Sequence, residues 1–251
     1  MLRICNAGLF VPPLGLALAL ALAGCGAPRP RQAASPTAAG SVAASSTGKV
    51  YRLDENQSEL RVLVYRAGPL AHLGHNHVMV NRSIRGSISL TEAVAAAANP
   101  SGAPAATAAT AAAGSSAFSL SVPVTGFVVD DAEARREEGS EFAAEVPDDA
   151  RRGTLLNMLS TSVLDADEFP LITISGVESG NMKATVVFNI AGHESKIDVP
   201  YALRVDTGHL VATGTVEMRQ TALGLTPFSL MLGALQVQDA MTIKFKIVAD
   251  L

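Results

Sequence analysis

Three histidines within Ala71-His72-Leu73-Gly74-His75-Asn76-His77 are the side chains of this sequence best suited to chemistry. On a strand, His75 and His77 would point to one face, and such a pair of imidazoles can chelate zinc or copper. Gly74 would let the chain bend so that His72 joins them. No fourth ligand is identifiable, because His193 and His209 both fall near turns. Beside the metal reading therefore stands a second one, in which the three imidazoles line a rim, hydrogen-bonded or wet. The acidic group Asp130-Asp131 with Glu133, Glu137 and Glu138 is interleaved with Arg135 and Arg136. Its spacing fits no calcium loop, and mixed charges of this kind read as a solvated connection at a strand end. There is no Gly-x-Ser-x-Gly elbow, no phosphate-binding glycine loop and no His-Glu-x-x-His. The expectation is a protein that binds and does not catalyse.

The thiols point elsewhere. Cys5 and Cys25 are the only cysteines. Arg3 precedes an unbroken run of Leu, Ala and Gly at residues 14–23, about half of the roughly 20 residues a membrane span requires. Such a run behind a basic residue reads as the core of an export signal. It ends in Leu22-Ala23-Gly24-Cys25, which resembles the lipobox of bacterial lipoproteins. The resemblance implies cleavage before Cys25 and acylation of that residue, leaving a mature protein without a thiol or a disulfide. Gly26, where Asp would favour the inner membrane, points to an outer-membrane anchor facing the periplasm, with inner-membrane anchoring as the alternative. Residues 25–48 lack periodicity and read as a flexible tether. The expected organisation is thus a signal at 1–24, a tether at 25–48 and one domain at 49–251.

That domain carries no nucleic-acid signature, since the net charge is −4 and no basic run occurs. Its dominant pattern has period two. Apolar residues alternate with polar ones through Ile84–Leu90, from 118 to 124, from 182 to 190, from 197 to 205, from 210 to 218 and from 241 to 247. One-sided strands joined by short turns describe an antiparallel meander, and closing it into a barrel removes its edges. Gly86 and Gly214 suit the bends that closure needs. A helix capped by Asp148 or Asp149 is expected to run to about Leu164, with Leu155, Leu159 and Val163 at helical spacing. The Ala-rich tract at 93–116 reads as an inserted loop. Residues 223–235 are apolar on every side and should be buried or cover something apolar.

Inward positions then define a candidate lumen. The strands contribute Val62, Val64, Ile88 and Leu90, then Phe188, Ile190, Val199 and Tyr201, then Val216, Met218, Phe245 and Ile247. The apolar tract adds Leu225, Phe228 and Met231. Small residues at Ala184, Ala212, Gly214 and Ala249 leave room between larger ones. Alternation alone fits a barrel packed with its own side chains as well as one enclosing a ligand.

The order of several short segments resembles the YceI-like family. They are Tyr51-Arg52-Leu53-Asp54 with Ser58, then Gly86, then Asp167-Glu168-Phe169-Pro170-Leu171-Ile172 after the helix. Gly192 in its hairpin, Gly224-Leu225 and Val237-Gln238-Asp239-Ala240-Met241-Thr242-Ile243 complete the set. The resemblance implies an all-β, lipocalin-like antiparallel barrel of about eight strands with one or two short helices. It also implies a periplasmic protein holding an isoprenoid, quinone or fatty-acid-like chain in its lumen. The rivals are a metal-binding module and an envelope scaffold with no ligand. Three departures are plain: Gln57 stands where many members have His, the 93–116 insertion is atypical, and the first hairpin carries an additional His cluster.

Overall fold

The computed structural model describes residues 48–98 and 115–251. The expected signal and tether, with Cys25 between them, and residues 99–114 lie outside the described residues. Among the described residues, thirteen strands share one antiparallel sheet. β1 (Lys49–Leu53), β2 (Glu59–Ala67), β3 (His77–Asn81) and β4 (Arg85–Leu90) are followed by α1 (Glu92–Ala98), so part of the Ala-rich tract is helical. β5 (Ala117–Pro123) and β6 (Phe127–Val129) lead to α2 (Ala132–Glu137) and α3 (Asp148–Leu159). β7 (Leu171–Gly180), β8 (Lys183–Ile190), β9 (His193–Pro200), β10 (Ala202–Asp206) and β11 (His209–Arg219) form the meander. β12 (Ser229–Leu230) and the sixteen-residue β13 (Leu235–Asp250) end the chain.

The expected alternation sets the register. Ile88 lies opposite Tyr51 and Phe118, Gly176 opposite Phe118 and Val186, and Val62 opposite Ile243 and Met79. Thirteen segments exceed the expected eight because bent strands are counted in pieces: only Tyr201 separates β9 from β10, and one 3-10 turn at Val124–Gly126 separates β5 from β6. β13 is the spine, paired with β11 on one side and with β1 and β2 on the other. The circuit returns to it through β10 and β11, while β9 itself has no ladder to β11. Pro200 closes β9 without an N–H to donate. The sheet is therefore curved and barrel-like, with a seam between β9 and β11.

Local chemistry fixes the ends. Asp54 accepts from the Asn56 amide at 2.8 Å and from Gln57 Nε2 at 2.7 Å, so Gln57 holds the turn between β1 and β2. Ser58 is buried there, donating to Val248 O at 3.1 Å and accepting from Val248 N at 3.0 Å. α3 differs from expectation at both termini. It stops at Leu159, and Pro147 takes the N-cap position while Asp148 and Asp149 occupy the first turn. There they complement the helix dipole and need not cap. Leu155, Met158 and Leu159 pack on the core and Leu156 points to solvent.

The largest core cluster runs through the sheet interior from Val64 and Met241 to Phe188 and Ile247. A second cluster under α2 joins Leu63, Val78, Val80, Ala134 and Phe142. A third, of Tyr51, Leu90, Leu210 and Ala249, packs with Val94 and Ala95 of α1. The acidic group departs from its expected solvated state. Asp131 caps α2 by accepting from the Ala134 amide at 3.0 Å, and Asp130 and Arg135 are buried.

Candidate functional site

The sheet encloses two cavities, one toward each end of β13. The lower one lies toward the end where β1 begins and has a volume of about 150 Å³. Ile88, Leu90, Phe188, Val199, Tyr201, Val216, Phe245 and Ile247 line it. So do the small residues Ala184 and Ala212, along with Leu60, Ile84, Phe118, Leu120, Ile174, Val186 and Leu203. Several of these inward side chains, among them Ile88, Phe118, Ile243 and Phe245, are only half-buried, because they face space and not one another. Two aromatic rings lie across strand glycines here. A Cβ at Gly176 would come within 2.6 Å of the Phe118 ring, and one at Gly214 within 2.4 Å of Phe245 Cζ. Only glycine lets these rings lie flat against the opposite strand.

The polar atoms of this wall are few. Glu178 follows Ile172, Ile174 and Gly176 on the inward face of β7 and is the sole ionisable carboxyl or base among the described lining residues. Tyr201 donates its hydroxyl to Glu178 Oε2, and the Gly180 amide donates to Oε1 at 3.1 Å. Burial pushes the Glu178 carboxyl above the usual carboxylate range, and the Gly180 amide pulls it part of the way back. Ser116, also in the wall, is occupied by Thr91: its Oγ accepts from the Thr91 amide at 2.9 Å and lies 3.1 Å from Thr91 Oγ1.

The upper cavity, about 280 Å³, lies between α3, β2, β3 and the start of β13 and is more polar. Val64 and Phe228 line it together with His75, His77, Arg66, Thr154 and Asn157. Val62, Ile190, Met218 and Leu225 line neither cavity and pack into the largest core cluster. Met231 corrects the expectation outright: it is 73% exposed, with Leu230 and the fully exposed Leu232 beside it. The 223–235 tract does not bury as one apolar segment. Leu223 alone is fully buried, whereas Met231 and Leu232 take left-handed backbone angles in a 3-10 turn that carries them outward.

The histidines separate. His72 is exposed on a 3-10 turn (Ala71–Leu73), and His75 precedes β3 and is not part of it. His77 is buried, with Nδ1 2.6 Å from Asp130 Oδ2 and Nε2 3.3 Å from Thr154 Oγ1. Asp130 Oδ1 accepts from the Val78 amide at 3.0 Å and from Arg135 Nη1. Arg135 goes on to the carbonyls of Asn76 and Ala144, each at 2.8 Å. Burial raises the Asp130 carboxyl, yet the hydrogen bond and charge of His77, the Val78 amide and the Arg135 charge together hold it below its ordinary value. Thr154, His77 and Asp130 line up as nucleophile, base and orienter would, but Thr154 sits inside α3, whose backbone N–H groups are spent in the helix. The chain of bonds joins α3, β3 and α2. The His75 and His77 rings lie 6.1 Å apart, and among the described residues no group of three His, Cys, Asp or Glu gathers as a metal site.

A profile of the YceI-like domain matches residues 51–249. The chain belongs to the YceI-like family. No curated protein matches the sequence. Among solved structures, BcnA of Burkholderia cenocepacia superposes with a TM-score of 0.52 at 13% identity, covering 78% of this chain and 99% of BcnA. A polyisoprenoid-binding domain from Saccharophagus degradans, implicated in plant cell wall breakdown, gives 0.48 at 11% identity, covering 80% and 97%. The likeness to BcnA is one of fold. Within the YceI-like frame, the opening Asp54 and Ser58 are turn and strand fasteners, and Phe169 of the Glu-Phe-Pro segment packs against Gly192 of the β8–β9 hairpin.

Proposed function

We propose that this protein binds and carries an apolar chain, an isoprenoid, quinone or fatty-acid-like lipid, in the lower cavity. The observation that carries the reading is the wall itself: almost wholly aliphatic and aromatic, half-exposed toward the lumen, with one carboxyl and one phenol among its polar groups. Membership of the YceI-like family supports it. At about 150 Å³ the cavity takes a group of roughly benzene size, by comparison with engineered apolar cavities of about that volume. A longer chain must therefore displace side chains. Phe118 and Phe245 are suited to yield, since each ring rests on a glycine and borders the cavity. The protein acts by binding and not by catalysis.

Export and acylation at Cys25 complete the proposal, with the domain held at the periplasmic face of the outer membrane. The anchor would keep the binder beside the membrane that supplies its ligand. Protein purified from its host membrane, or incubated after delipidation with a membrane extract, should carry stoichiometric lipid detectable by mass spectrometry. Repeated recovery of folded, empty protein overturns the carrier reading. Cys25→Ala should abolish incorporation of labelled palmitate.

A further inference from the structure

We infer that the lower cavity selects chains ending in an uncharged hydrogen-bonding group, an alcohol or a carbonyl, and that Glu178 and Tyr201 are its head-group site. This rests on the apolar-chain reading above. Tyr201 faces two ways: it lines the inner cavity and also the shallow outer hollow formed with Pro200, Gly214 and Phe245 where β10, β11 and β13 meet. The Glu178–Tyr201 pair therefore stands between the lumen and that outer hollow, beside the seam that lacks a ladder. A chain lying inward along Phe245 and Ile243 would leave its polar end at this pair.

The chemistry of the pair decides which end fits. The Glu178 oxygens accept from Gly180 and Tyr201, and each keeps a lone pair for an incoming hydroxyl. When protonated, the same carboxyl donates to a carbonyl oxygen, and its burial favours that form. A carboxylate or phosphate end meets the opposite situation. Among the described residues, the cavity wall contains no Lys, Arg or His. The nearest base on the outer hollow, Lys244, is paired with Glu138, which also accepts from Arg61 at 3.2 Å. An anionic head would be buried against a carboxyl without a counter-charge, losing hydration and meeting repulsion. Ser116 is spent on Thr91 and offers no relief.

The test is a titration of the purified full chain with matched ligands, dodecanol against dodecanoate and farnesol against farnesyl diphosphate. Each neutral ligand should bind at least about tenfold more tightly at neutral pH, the scale of a buried like-charge encounter. Glu178→Gln keeps the shape and removes the charge, so dodecanoate should gain affinity and the ratio should collapse. Tyr201→Phe is the second variant: it should weaken dodecanol while leaving a purely hydrocarbon probe, dodecylbenzene, bound as before. Equal or tighter binding of the anionic partner, or a ratio unmoved in both variants, overturns the head-group inference alone. Failure of every ligand, dodecylbenzene included, overturns the apolar-chain reading and this inference with it.

Discussion

Two carboxyls, Asp130 buried toward one end of the sheet and Glu178 half-buried toward the other, are treated differently. Above, Asp130 is enclosed on all sides, and its oxygens are shared among the His77 ring, the Val78 amide and Arg135. Its pKa falls despite burial. Below, Glu178 has a phenol and one backbone amide as partners, no cation beside it, and a pKa that rises. A fully partnered buried charge is the signature of a structural fastener, and a half-partnered one beside a void is the signature of a place for something else. The contrast separates the upper cavity, whose polar wall is tied to α3 and α2, from the lower one, whose polar pair faces open space.

The sharpest way to break the comparison is at Asp130. Asp130→Asn leaves Arg135 buried without its counter-charge, which should cost about 3–5 kcal/mol by analogy with broken buried pairs. Chemical denaturation measures it. A depressed carboxyl pKa contributes stability that is present above the unfolded value near 4 and is lost as pH falls through the folded value, so the gap between variant and parent should close in acid. A uniform gap at all pH values would show that the charge is not what holds the upper end.

The next largest effect is expected at Phe245. A buried Phe→Ala change usually costs about 3–5 kcal/mol, but this ring is half-buried and borders a hollow, so about 2 kcal/mol is expected. Bulkier chains should then bind more tightly than in the parent, because the variant has already vacated the space they need. Loss of stability with no change in chain selectivity would mean that the ring is only core.

Glu178 should show the smaller and opposite pH response. Its folded pKa is raised, so the native state holds the proton more firmly than the unfolded chain. Stability contributed in this way is complete below the unfolded value near 4.3 and is lost as pH rises through the folded one. Glu178→Gln should therefore stabilise the protein slightly at neutral pH, with the gain fading in acid. Melting curves of parent and variant across that range measure it. A variant less stable than the parent at neutral pH would place Glu178 with Asp130 as a fastener.

Much of this was legible in the sequence. The period-two alternation located the strands of the meander, because side-chain direction in a strand is set by count alone. Glu178 was missed: it continues the inward stripe of Ile172 and Ile174, but a lone acidic residue near a strand end resembles a solvated one. Asp130 was hidden for a stronger reason. Its burial depends on a left-handed backbone angle of 57° and on α2 folding Arg135 back over it, contacts that local composition does not encode. The exposed Met231 and Leu232 misled in the other direction, since hydrophobicity without periodicity says nothing about which side faces in. Nothing among the described residues explains why they are apolar.

The smallest expected effect concerns the histidines, and it tests whether the upper end has any spare chemistry. His77 Nδ1 is held by Asp130 and Nε2 faces Thr154, so a metal could reach this ring only by breaking one of those bonds. His75 is nearer to availability: burial and then the neighbouring His77 and Arg135 hold its pKa below the ordinary value, which keeps the imidazole neutral and able to ligate. One free imidazole with a committed neighbour makes a weak site. A specific metal present at a hundred times its dissociation constant would stabilise the fold by about 2.7 kcal/mol. Zinc or copper at micromolar concentration should leave the melting temperature unchanged. A saturable rise that disappears in His75→Ala would show that the Asp130 network yields His77 to a metal, and the upper end would then be a site as well as a fastener.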